Sequence, residues 1–65
     1  MKIIVNGDSR EVRAREVAAV LAELGYGGSV VATAVNGEFV PSATRSGTYL
    51  SDGDRLEILA PMQGG

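Results

Sequence analysis

The chain has 65 residues, a formal charge of −2, and neither cysteine nor histidine. That length holds one domain with a small core, and the two missing residue types exclude disulfides, zinc–thiolate and histidine metal sites, and Ser–His or Cys–His chemistry. Lys and Arg are scattered without a basic stripe, no apolar run approaches the ~20 residues of a membrane span, and Met1–Asn6 is too short for a signal peptide, so neither nucleic acid nor membrane is an expected partner and a cytoplasmic setting is.

Met1 to Asn6 is a nearly continuous apolar run rich in β-branched residues and reads as a well-covered strand. Asn6-Gly7 is a strong hairpin signal, since both residues tolerate the positive φ of a tight turn. Arg10 to Arg13 is then the returning strand, and its charges suit an exposed sheet edge. From Arg15 to Leu24 the period changes, with Val17, Val20, Leu21 and Leu24 on one stripe of an amphipathic helix. Glu16 falls in the expected first turn, where the helix dipole favours an anion, and Gly25 is a natural stop. No Ser, Thr, Asp or Asn stands where an N-cap is expected.

Val30 to Asn36 is the next strand, with Val31, Thr33 and Val35 on one face and Val30, Ala32 and Ala34 on the other. Asn36-Gly37 repeats the turn signal and leads into a short strand, Glu38-Phe39-Val40, ended by Pro41. Ser42 to Leu50 is a polar loop with room for a helical turn, and Tyr49 and Leu50 are expected to anchor it to the core. Asp52-Gly53-Asp54 reads as a turn into a final alternating strand, Arg55 to Ala60, whose Leu56 and Ile58 face the helix. A calcium loop needs more ligands at set positions than this acidic pair offers, and no glycine is followed by the Lys-Ser/Thr of a phosphate loop.

Strands and one helix in the order ββαβββ bury a sheet face only by laying the helix across it. The first and last strands are the most apolar and are expected to be parallel central neighbours. The expected fold is therefore α+β, a ubiquitin-like β-grasp with a mixed sheet of four to five strands packed on one helix. Residues 1–65 form a single such domain, of which 61–65 are expected to be a flexible, reactive C-terminal tail.

With Ser–His, Cys–His and His–metal constellations all excluded by the missing cysteine and histidine, an enzyme with its own active site is not expected. The remaining reactive group is the α-carboxylate of Gly65. It is ionised at neutral pH and reacts only after activation, for example as an acyl-adenylate from which AMP leaves. Pro61 to Gly65 spans about 16 Å when extended, enough to thread a partner's channel, and the two terminal glycines lack the Cβ atoms that would obstruct a narrow slot. With nine glycines in 65 residues, two at the end arise by chance about 2% of the time, so the pair gains its specificity from following a final strand in such a fold.

The sequence resembles the ThiS-type sulfur carrier proteins of thiamin biosynthesis. The resemblance rests on Met1-Lys2-Ile3-Ile4-Val5-Asn6-Gly7, Val20-Leu21-Ala22-Glu23-Leu24-Gly25, Val35-Asn36-Gly37-Glu38-Phe39-Val40-Pro41, Leu50-Ser51-Asp52-Gly53-Asp54-Arg55-Leu56-Glu57-Ile58 and Met62-Gln63-Gly64-Gly65. It implies that a ThiF-type, E1-like adenylyltransferase activates Gly65 with ATP. A cysteine desulfurase or other sulfur donor then supplies the sulfur of a covalent C-terminal thiocarboxylate, and a thiazole synthase consumes it. Met62, Gln63 and Gly64 would enter the partner's active site. The carrier itself would bind no cofactor and no metal, and would be monomeric when free.

An apolar patch on the open face of the sheet is a further implied contact, with Val30, Ala32, Ala34, Leu59 and Met62 as its candidates. Other readings stay open: a carrier for molybdopterin or cysteine synthesis, or a β-grasp interaction module with no carrier role. The sequence departs from the family pattern at two places. Ser42-Ala43-Thr44-Arg45-Ser46 stands where many members carry an early Arg and then an aromatic, so no partner contact is carried over there. Thr33 stands where an aliphatic residue is usual, and is expected to weaken the core slightly.

Overall fold

A computed structural model describes residues 1–60; 61–65 lie outside the described residues. Strands β1 (Lys2–Val5), β2 (Asp8–Glu11), β3 (Ala32–Val35), β4 (Glu38–Val40) and β5 (Arg55–Leu59) form one sheet, in the order β2-β1-β5-β3-β4. Helix α1 (Val17–Glu23) crosses one face, and a 3-10 helix spans Ser42–Gly47. β1 and β5 are parallel neighbours, as their apolar content led us to expect, while β1–β2, β3–β4 and β3–β5 are antiparallel.

Both Asn-Gly pairs form tight turns with positive φ at each residue: 50° and 88° at Asn6 and Gly7, and 50° and 85° at Asn36 and Gly37. Those values match the turn whose twist suits a two-residue hairpin loop. The first turn closes early, so β2 begins at Asp8 rather than Arg10, and its four residues are all exposed. Val12, just past the strand, instead enters the core at 3% exposure.

The helix begins one residue later than its dipole argument supposed. Glu16 is the N-cap, in an extended conformation and with no side-chain capping bond. The missing cap is replaced from elsewhere in the chain. Glu16 and Tyr49 form an isolated antiparallel bridge, the Val17 N–H donates to the Thr48 carbonyl (2.9 Å), and the Leu50 N–H donates to the Arg15 carbonyl (2.7 Å). This strand-like pairing corrects the expectation for Tyr49: its backbone makes the bridge while its side chain, 68% exposed, points away from the core. Leu50, one residue on, is buried as expected. At the other end Gly25 (φ 96°) and Tyr26 donate to the Ala22 and Leu21 carbonyls (3.1 and 2.7 Å), the paired bonds of a glycine-terminated helix.

The core joins the helix stripe Val17, Val20 and Leu21 to Ile3 and Val5 of β1, Leu56 and Ile58 of β5, and Val12 and Leu50 from the connections. Thr33 is buried among these strands, yet its hydroxyl both donates and accepts a hydrogen bond. It donates to the Val40 carbonyl (2.8 Å) and accepts from Arg45 Nε (3.1 Å), while Arg45 Nη2 donates to the Val31 carbonyl (2.5 Å). The two departures from the family pattern are therefore one structural unit: Arg45 straps the 3-10 helix to β3 through Thr33.

Glu23 holds the connection between β2 and α1. Its carboxylate accepts from the Arg13 and Ala14 N–H groups at 3.0 Å, and these bonds, Ala14 first, lower its pKa below the ordinary glutamate value. A carboxyl whose folded-state pKa is depressed contributes stability above its unfolded pKa and loses it as pH falls through the folded value. Thermal melts should therefore show Glu23→Gln less stable than the parent at neutral pH, with the gap closing as acid protonates Glu23. For the buried strap, Thr33→Val leaves the Val40 carbonyl and Arg45 Nε without their partner and should cost about 1–3 kcal/mol in urea unfolding. Adding Arg45→Leu should cost less than the sum of the two single changes, since the pair then leaves fewer unmet groups behind.

Candidate functional site

β5, the central strand of the sheet, ends at Leu59, and Ala60 is the last described residue. Gly65, Gly64, Gln63 and Met62 lie outside the described residues. What the structure places is the root of that segment and the surface around it.

Residues opposite one another in a register share a face. On the face away from α1 the pairs Ala32–Leu59 and Ala34–Phe39 meet, with Glu57 opposite Ala34 on the β5 side. These residues line a shallow apolar groove of about 110 Å³ bounded by Glu57. Leu59 is 67% exposed and Phe39 66% exposed, well outside the core. Of the four expected surface residues among those described, Ala32, Ala34 and Leu59 come together here. Val30 is 82% exposed but precedes β3 and is not among the groove's lining residues.

Phe39 is the residue that sequence reasoning missed. The signal was present in the alternation of β4: Val40 is buried, so its neighbour faces the opposite way. A strand of three residues was too short for that alternation to be read against competing patterns.

Among the described residues, no group of three or more His, Cys, Asp or Glu lies close enough to hold a metal, and no helix is long and apolar enough to cross a membrane. The Asp52-Gly53-Asp54 pair is committed to its turn. Asp52 Oδ1 accepts the Lys2 N–H (2.8 Å), while Asp54 accepts the Ser51 N–H (2.8 Å) and Asn36 Nδ2 (3.1 Å).

Comparison with known proteins bears on the same end of the chain. The model of the ThiS family matches residues 3–65, a span that includes Gly64 and Gly65. The chain belongs to the ThiS family. Among solved structures, it resembles the crystal structure of a thiamine biosynthesis protein (ThiS) from Geobacter metallireducens, with a TM-score of 0.84, 30% identity and full coverage of both chains. A solution structure of a thiamine biosynthesis protein from the same organism gives a TM-score of 0.80 at 30% identity and covers 88% of that protein. The α+β β-grasp architecture expected from the sequence is therefore the fold of the ThiS family. A curated relative, a thiazole synthase of Paramagnetospirillum magneticum, is 41% identical over 66 aligned residues. The chain spans about one fifth of that relative's length.

The groove lies outside the core, so its residues can be changed without undoing the fold. Leu59→Glu and Phe39→Ser should each shift unfolding free energy by less than about 1 kcal/mol. Ile58→Ala, one residue away on the opposite face, should cost about 2–5 kcal/mol in the same urea titration. A comparable loss at Leu59 would place that side chain in the core.

Proposed function

We propose that this ThiS-family chain is a sulfur carrier for thiamin biosynthesis and that its reacting group is the α-carboxylate of Gly65. The observation that carries the reading is the family match running through Gly64 and Gly65, on a chain without cysteine or histidine. The names of its structural relatives, thiamine biosynthesis proteins, support the pathway, and the 41% identity to part of a thiazole synthase supports a thiazole synthase as the acceptor of the sulfur.

In the proposed sequence an E1-like adenylyltransferase binds the carrier in the cytoplasm, with Met62, Gln63 and Gly64 in its active-site channel. A Gly65 carboxylate oxygen attacks the α-phosphorus of ATP, pyrophosphate leaves, and the acyl carbon becomes electrophilic. A sulfur nucleophile then attacks that carbon and AMP leaves. Where the nucleophile is a desulfurase persulfide, a thiol must cleave the resulting acyl disulfide to release the thiocarboxylate. The carrier contributes no acid, base or metal. It contributes a terminus without Cβ atoms and a folded surface beside it, with the Ala32, Ala34, Phe39 and Leu59 groove as the docking face.

The test is intact mass after incubation with an E1-like enzyme, ATP, a desulfurase, cysteine and a thiol. The expected gain equals the replacement of one oxygen by one sulfur. It should vanish on deletion of Gly65 or on addition of one residue after it, with the circular dichroism spectrum unchanged. Leu59→Glu should lower the rate of this gain while remaining folded. An unchanged mass with partner enzymes proven active on another carrier would overturn the reading. The same measurement on protein isolated from its own cells establishes whether Gly65 is the terminus in use.

A further inference from the structure

We propose that Asn6 is a positioning residue for the C-terminal tail: its side-chain amide fixes the end of β5 from which the tail departs, and so sets the point from which Gly65 is presented. The inference rests on the carrier reading given above.

The geometry is that of a backbone rung made by a side chain. In a parallel ladder, the residue opposite Glu57 donates its N–H to the Leu56 carbonyl and accepts the Ile58 N–H with its own carbonyl. Asn6 makes the first of these bonds through its backbone (3.1 Å). It cannot make the second, because the chain turns at Asn6 (φ 50°) and its carbonyl swings away. The side chain takes over: Ile58 N–H donates to Asn6 Oδ1 (2.8 Å) and Asn6 Nδ2 donates to the Ile58 carbonyl (3.0 Å). Both peptide groups of Ile58 face β1 rather than β3, so this amide is what holds the strand there, two residues before Ala60. On the other side, Ala32 pairs with Leu59.

Asn36 supplies an internal control. It is the first residue of the other Asn-Gly turn, with the same φ of 50°, and it clamps the opposite end of β5. Asn36 N–H donates to the Arg55 carbonyl (2.8 Å), Arg55 N–H donates to Asn36 Oδ1 (2.9 Å), and Nδ2 donates to Asp54 Oδ1 (3.1 Å). The two asparagines thus perform the same structural task at the two ends of one strand. Only Asn6 stands at the end that launches the tail.

A tail that must enter a partner's site while its domain is docked reacts at a rate set by effective concentration, which falls when the root of the tail is released. The experiment compares Asn6→Gly with Asn36→Gly; glycine keeps each turn's conformation and removes each amide. Two quantities are read at a temperature where both variants are folded: kcat/KM for adenylation by an E1-like enzyme, and hydrogen exchange at Ile58 and Leu59. Asn6→Gly should lower kcat/KM by about tenfold and accelerate exchange at both amides. Asn36→Gly, with a similar loss of Tm, should stay within about twofold of the parent in kcat/KM. Should Asn6→Gly fail to fold, Asn6→Asp, which keeps the turn and loses the donor, takes its place with the same expectations.

Equal losses in the two variants, or none in either, would overturn the positioning role while leaving the carrier reading intact. An unmodified parent protein that is not adenylated would overturn the carrier reading, and the positioning role with it.

Discussion

The central strand β5 is held at both ends by amides that do not belong to any strand. Each comes from the first residue of an Asn-Gly turn, where the chain must take a left-handed conformation and therefore forfeits the next backbone rung. Asparagine is the residue that meets both demands at once. It tolerates positive φ better than most side chains, and its amide carries a donor and an acceptor in nearly the geometry of a peptide unit. Glycine would supply the turn without the rung. Aspartate would supply the turn and only the acceptor. The hairpin residue that ends β1 and the one that ends β3 thus also fix the register of a strand that arrives much later in the chain.

That register decides what each face of the sheet presents. With Val5 and Val35 opposite Leu56, and Thr33 opposite Ile58, the helix side of β5 closes the core. The same pairing places Leu59 beside Ala32, and Phe39 beside Ala34, on the side the helix does not cover. A slip of one residue would exchange the two faces, bringing Glu57 and Leu59 under the helix. In a chain this short, where little apolar surface is buried, leaving a Phe and a Leu in water forgoes stability that the core needs. Their pairing in one groove beside the end of β5 makes a contiguous exposed patch, unlike scattered surface leucines, and it is this patch that the carrier reading takes as its docking face.

The local signals were legible, and the distant ones, with one exception, were not. The stripe Val17, Val20 and Leu21, both Asn-Gly turns and the alternation of Leu56 and Ile58 follow from spacing within short windows; the parallel pairing of β1 with β5 is the one distant feature that was read, from the apolar content of the two strands. Gly64-Gly65 stands as a candidate reacting end on the sequence alone, because the chain holds no competing cysteine or histidine, and it lies outside the described residues. Asn6 could be assigned a turn but not its bond to Ile58, which spans 52 positions. Thr33 and Arg45 looked like two unrelated departures, and only the fold brings the guanidinium to the hydroxyl. Tyr49 was read, with Leu50, as an anchor of its loop to the core. A backbone bridge to Glu16 sets its orientation instead, and no pattern in the sequence marks an isolated bridge.

On the carrier reading, chemistry and structure occupy separate parts of the chain, and the boundary between them becomes the feature that matters. A terminal carboxylate brings no pocket of its own, so the site that reacts is assembled from another protein's residues. What the carrier controls is where its terminus starts from and which face is docked while it reacts. Both are set on β5: Leu59 points into the open groove, and Ile58, its neighbour, is pinned by Asn6 from one side and packed into the core by its side chain. A looser strand end would enlarge the volume the terminus explores and raise the entropy lost on entering a partner's channel. Placing the tail after the most constrained strand, rather than after an edge or a loop, keeps that loss to the residues that must enter the channel.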